Sequence, residues 1–164
     1  MKRAKPDFLV ILRTLREEGV DFIVVGGVAG VLQGAPISTF DLDVVHSREP
    51  SNLHRLLKAL RLLRARYRTP GSENLTPNYS HLASAGHQLL LTDAGPLDVL
   101  GTIGRDHGYD ELVRETTELE IAPGLKVRVL DLPALIRTKE ETAQDKDRAA
   151  LAVLRRTLEE KSKR

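Results

Sequence analysis

The chain has 164 residues, of which 41% are hydrophobic and 29% charged, with 25 basic against 23 acidic side chains and no cysteine. These values are those of one ordinary globular domain. They exclude disulfide scaffolds, thiolate zinc sites and cysteine nucleophiles, so any metal must sit on oxygen or imidazole. The net charge of +2 gives no global attraction to nucleic acid. No run approaches the roughly 20 apolar residues of a membrane span. Met1–Lys5 is not followed by an uncharged signal-peptide core, so a cytoplasmic protein with no membrane association is expected.

Phe8, Leu9, Ile11, Leu12 and Leu15 recur at helical spacing after Pro6 and before Gly19, which predicts a first helix. Asp21–Val25 is β-branched and aromatic and breaks at Gly26-Gly27, giving a strand, a tight turn and a short helix over 28–33. From Thr39 to Val45 polar and apolar residues alternate, which predicts a strand with Phe40, Leu42 and Val44 on one face and Thr39, Asp41 and Asp43 on the other. Ser51 or Asn52 is the expected cap of a third helix carrying Leu53, Leu56, Leu57, Leu60 and Leu63 inward. Arg55, Lys58, Arg61, Arg64, Arg66 and Arg68 form a basic cluster along and after that helix. It suits either phosphate contacts or a solvated face.

Residues 69–86 lack any period and predict a loop able to close over a ligand. Strands over 88–92 and 97–100 form a hairpin through Asp93-Ala94-Gly95, and a second hairpin joins 118–121 to 126–130 through Pro123-Gly124. Asp131 opens a helix with Pro133 in its first turn, and another helical pattern runs from Asp145 to about Glu160. Lys161–Arg164 reads as a basic tail that frays. With no internal repeat or boundary, the expectation is one domain over 1–164 in the α/β (α+β) class, with a small mixed sheet, flanking helices and C-terminal helices.

Asp41 and Asp43 stand two apart on the predicted strand, so their side chains leave the same face. Adjacent carboxylates repel unless a hard cation sits between them, and Mg²⁺ commonly joins one or two carboxylates to phosphate oxygens. Asp98 adds a third carboxylate if its strand lies beside that of Asp41, and three carboxylates can hold the two metals of an in-line phosphoryl transfer. Glycines at 26 and 27 let a triphosphate approach the turn closely. The alternative is a wet edge strand and an ordinary turn. A dinucleotide-binding loop fits poorly because Val25 stands where its first glycine would be, and no ATPase-type phosphate loop occurs. His46, just after the acid strand, is placed either near a ligand or at the surface, and Tyr79 and Tyr109 either stack on a base or pack.

Val25-Gly26-Gly27 followed by Asp41-Leu42-Asp43-Val44, with Pro96-Leu97-Asp98-Val99-Leu100 later, resembles the DNA polymerase beta-like nucleotidyltransferase superfamily. Gly34-Ala35-Pro36 leading into Thr39-Phe40-Asp41 narrows the resemblance to small prokaryotic members similar to abortive-infection toxin nucleotidyltransferases of toxin–antitoxin pairs. The resemblance implies a nucleotidyltransferase fold and transfer of a nucleoside monophosphate from a nucleoside triphosphate to an acceptor hydroxyl on a tRNA end, a protein or a small molecule. Asp41, Asp43 and Asp98 would be the catalytic ligands of Mg²⁺ or Mn²⁺, and an antitoxin protein is a possible partner. It further implies nucleotide contacts at Gly26, Gly27, Thr39, Lys139 and Lys146, with Lys139 neutralising the triphosphate and Lys146 with Asp147 supporting the site. The chain departs from such relatives at Ile37 and Gln144, where many carry arginine. That departure motivates the alternative of a catalytically inactive nucleotide-binding or protein-interaction module.

Overall fold

Alternation and turn chemistry lay out a sheet that the computed structural model, which describes residues 6–163, resolves into seven strands. In chain order the elements are α1 (Phe8–Glu17), β1 (Phe22–Val25), α2 (Gly26–Leu32), β2 (Leu42–His46), α3 (Pro50–Leu62), β3 (Arg66–Tyr67), α4 (Tyr79–Ala83), β4 (His87–Thr92) and β5 (Gly95–Leu100). There follow β6 (Thr102–Ile103), β7 (His107–Gly108), α5 (Tyr109–Leu112), β8 (Thr116–Ala122), β9 (Leu125–Leu130), α6 (Leu132–Glu141) and α7 (Arg148–Ser162). Short 3₁₀ turns precede β8 and α7.

The sheet order is β3-β4-β5-β2-β1-β9-β8, and β6 pairs only with β7. β2 is antiparallel to β1 and parallel to β5, while β9 is parallel to β1, so the sheet is mixed. The central strands are nearly continuous apolar runs, and Ile23, Val24, Leu42, Val44, Val45, Leu97 and Val99 are fully buried. That burial is what strands covered by helices require. α1 and α3 pack against each other, α2 and α6 against each other, and α6 against α7. The amphipathic faces Ile11, Leu12 and Leu15 of α1 and Leu53, Leu56 and Leu60 of α3 enter one continuous core.

Several local expectations change. Asn52 is not a cap but an interior residue of α3, fully buried, and Glu49 takes the cap position. Its side-chain oxygen accepts from the Asp21 amide at 2.7 Å, and its amide donates to the carbonyls of Asp21 (3.1 Å) and Ser47 (2.8 Å). It thus ties one end of the β1–β2 antiparallel pair, where the chain enters β1 and leaves β2, to α3. Asn52→Ala removes these bonds from the Asp21 amide and the Ser47 carbonyl, while the Asp21 carbonyl keeps the Ser47 amide, and is expected to cost about 3 kcal/mol, read as a lower urea midpoint with an unchanged slope.

Segment 69–86 is not wholly irregular, since Asn78 and His81 form a capping box that starts α4 and Leu82 is fully buried. The strand of Asp41 and Asp43 begins only at Leu42. Phe40 therefore does not share the inward face of Leu42 and Val44 but is 78% exposed. α7 runs through Lys161 and Ser162, and an Arg156–Glu160 pair at 3.4 Å lies on its last turns. Met1–Lys5 and Arg164 lie outside the described residues. Among those described, no helix is long and apolar enough to cross a membrane.

Candidate functional site

Register brings the acids together. β2 pairs with β5 so that Asp43 stands directly beside Asp98, and on its other side Asp43 stands beside Val25, the residue before the glycine turn. One row across the sheet therefore runs Leu89, Asp98, Asp43, Val25, with side chains leaving one face. Asp41 lies one residue before β2, and its side chain is 45% exposed against 13% for Asp98.

Gly26 has φ of +66°, and a Cβ placed there would overlap the Asp43 carboxylate. Only glycine both adopts that backbone and leaves the space. A Cβ at Gly27 would meet the Thr39 side chain at 3.0 Å, and the Thr39 hydroxyl donates to the Asp41 carbonyl at 3.0 Å. Thr39 thus shapes the entry to β2 from below the glycine turn.

Arg68 completes the cluster. Its backbone amide donates to the Leu89 carbonyl at 3.2 Å, which prolongs the β3–β4 ladder and sets the side chain over the acid row. Nη1 lies 2.5 Å from Asp98 Oδ1 and Nη2 lies 3.7 Å from Asp41 Oδ2. Even so, Asp98 Oδ1 receives no well-directed hydrogen bond despite that close ion pair, and buried Asp43 Oδ1 has no partner among the described residues. Arg68 offsets the repulsion between the carboxylates without satisfying them.

The Asp43 carboxyl is pushed up from 3.8 to about 8, first by burial, next by the Asp98 and then the Asp41 carboxylate, with Arg68 opposing. Because the folded chain binds this proton more tightly than the unfolded one, its stabilisation is full below about pH 4 and is lost as pH rises through about 8. Without divalent cations, stability is expected to fall over that window by up to about 1.4 kcal/mol per pH unit. Urea unfolding at a series of pH values measures it, and Asp43→Asn should flatten the curve.

A cavity of about 310 Å³ opens beside the row, lined by Gly26, Gly27, Asp43, Thr138, Lys139 and the apolar Ile37, Leu135 and Leu154 among others. α6 brings Lys139 to it, and the Lys139 ammonium pairs with Asp147 at 3.3 Å. The Gln144 amide, foremost, and Lys139 hold the Asp147 carboxyl below its ordinary range. Lys146 is exposed on the 3₁₀ turn and does not line the cavity. His46 is neither at the surface nor over the acids. It is buried with Nε2 against the Leu82 carbonyl at 2.8 Å, and burial, foremost, lowers its pKa.

Over 93% of its length the chain superposes on 91% of a putative nucleotidyltransferase from Thermotoga maritima, with a TM-score of 0.55 and 16% sequence identity. The chain has the nucleotidyltransferase fold. No family model and no curated protein matches the sequence. Within this fold, the residue that sequence reasoning did not place is Arg68. It was visible only as one member of a basic run, and a two-residue strand is too short to announce which arginine it carries to the acids.

The carboxylates suit a hard cation, since Asp43 Oδ1 is buried without a hydrogen bond among the described residues, and burial with like charge penalises the ionisation of Asp43. Among the described residues, no three acids or imidazoles already converge as a closed metal shell. Asp41 is drawn instead toward Arg68.

Proposed function

We propose that this chain is a metal-dependent nucleotidyltransferase that moves a nucleoside monophosphate from a nucleoside triphosphate to an acceptor hydroxyl. The observation that carries the reading is the Asp43–Asp98 pair, held side by side by strand register, with Asp43 under a bare glycine turn and lining a cavity. Asp41, Asp43 and Asp98 would hold Mg²⁺ or Mn²⁺, which supplies charge neutralisation and lowers the pKa of an acceptor hydroxyl. Arg68 must release Asp41 and Asp98 for this, and the triphosphate provides it with alternative oxygens.

Gly26 and Gly27 let phosphate oxygens approach the backbone, and Lys139 turns from Asp147 to neutralise them. Thr39 keeps Asp41 in place through the strand entry. In the transfer, a bond forms between the acceptor oxygen and the α-phosphorus while the α–β bridging bond breaks. Pyrophosphate leaves, and the hydroxyl proton passes to Asp98.

Arg68 on the acids favours a second reading, in which a guanidinium replaces the cation permanently and the chain is a nucleotide-binding or interaction module. Incubation with each α-labelled triphosphate and with RNA, protein and small-molecule hydroxyl acceptors separates the two. Label transfer that requires Mg²⁺ or Mn²⁺ supports the enzyme, whereas absence of transfer and of pyrophosphate release with every triphosphate supports the module.

A further inference from the structure

The six-residue basic cluster divides in three. Arg55 and Lys58 turn toward Asp21 and Glu18 at 3.8 and 3.2 Å and are spent on the fold. Arg68 joins the acids. Arg61, Arg64 and Arg66 instead line a separate groove of about 840 Å³ between α3, β3 and the start of α4, together with Asn78, Tyr79 and Asp93.

Three features set this groove apart from an ordinary solvated surface. First, Arg64 has φ of +56° at the end of α3, where its amide and that of Ala65 bond back to the carbonyls of Arg61 and Leu60. This is the left-handed helix-terminating position that glycine usually takes, so a side chain is retained there against the backbone's preference. Second, Arg64 and Arg66 both lean on the single carboxylate of Asp93, at 3.5 and 3.3 Å, while Arg61 has no ion pair among the described residues. The groove therefore keeps a net positive charge. Third, Tyr79 is 37% exposed at its edge, with its ring 5.0 Å from that of His54. An arginine-lined groove with an aromatic ring at its edge is the arrangement that tracks a single strand's phosphates and stacks its bases.

We infer that this groove binds the phosphodiester backbone of a single-stranded nucleic acid. Arg66 on β3 lines the groove, and Arg68, one residue past β3, lies on the acid row. The chain that lines the groove through Arg66 runs directly on to Arg68 at the acids, which links a strand bound there to Asp98. That its hydroxyl end is the acceptor rests on the proposed transferase reading, whereas the binding itself does not.

The test is fluorescence anisotropy with labelled single-stranded RNA and DNA of about 12 nucleotides, in the absence of triphosphate and divalent cations, over a salt series with oligoglutamate as competitor. Arg64→Gly relaxes the backbone, so its melting temperature should equal or exceed that of the wild type, while its salt slope falls by about 0.7 and its affinity drops. Asp93→Asn releases two arginines and should bind more tightly, a gain that misfolding does not produce. Asp43→Asn should bind the oligonucleotide as the wild type does, even where it fails with nucleotide. RNA and DNA binding alike points to phosphate alone, RNA binding better adds a ribose contact, and either supports the groove. Absence of oligonucleotide binding, unchanged binding and slope in Arg64→Gly, or equal displacement by oligoglutamate overturns it.

Discussion

Gly26→Ala is expected to be a strongly damaging single-methyl change that strains the backbone and disturbs the acid row together. At φ of +66° an alanine is strained, and its Cβ would occupy the place of the Asp43 carboxylate. Asp43 cannot simply move away, because its neighbours in the sheet are the fixed residues Val25 and Asp98. The strain and the displaced carboxylate together should cost about 3 kcal/mol, or a fall of roughly 9 °C in melting temperature for a domain of this size. Any folded fraction should also lose nucleotide binding, since the added methyl narrows the cavity mouth. Calorimetric melting paired with nucleotide titration at low temperature checks both parts, and an alanine variant with the stability and binding of the wild type would show that the turn and the carboxylate are not coupled.

Asp43→Asn should move stability and function in opposite directions. Asp43 is the acid that burial and its neighbours push up to about 8, so in metal-free buffer above that pH its charge is a burden on the fold. The neutral amide lifts that burden, and the variant should unfold at higher urea than the wild type at pH 8.5 while matching it near pH 4 more closely. The same substitution removes a cation ligand from the centre of the acid row, and transfer should fall by at least about 10³-fold. Sites tuned for chemistry commonly carry such a cost in stability. A loss of stability at high pH together with retained turnover would assign Asp43 to the fold alone.

The parts visible in the sequence were those governed by local rules. Alternation marked Asp43 and Asp98 as strand residues, Asp93-Ala94-Gly95 and Pro123-Gly124 marked the two hairpins, and Asp131 with Pro133 marked the start of α6. The parts not visible depended on pairing at a distance. β3 has two residues and exists because it lies on β4, so nothing near Arg68 foretold its place on the acids. Asn52 carries a cap's chemistry but uses it three residues inside the helix, on backbone groups of the residue before β1 and of the segment after β2. Asp41 follows the alternation yet falls outside the strand, because the ladder to β5 starts at Leu42. Lys146 matched a helical pattern, but the 3₁₀ turn that precedes α7 leaves it exposed while Asp147 turns to Lys139.

On the proposed reading, the acid row and the glycine turn form one metal-dependent nucleotide site. Isothermal calorimetry with non-hydrolysable ATP, GTP, CTP and UTP analogues, with and without Mg²⁺, tests it on the wild type and on Asp41→Asn/Asp43→Asn. The expected result is binding of at least one analogue that requires Mg²⁺ and is lost in the double variant. Binding that is indifferent to Mg²⁺ and to both aspartates, or no binding of any analogue to the folded wild type, would contradict the account.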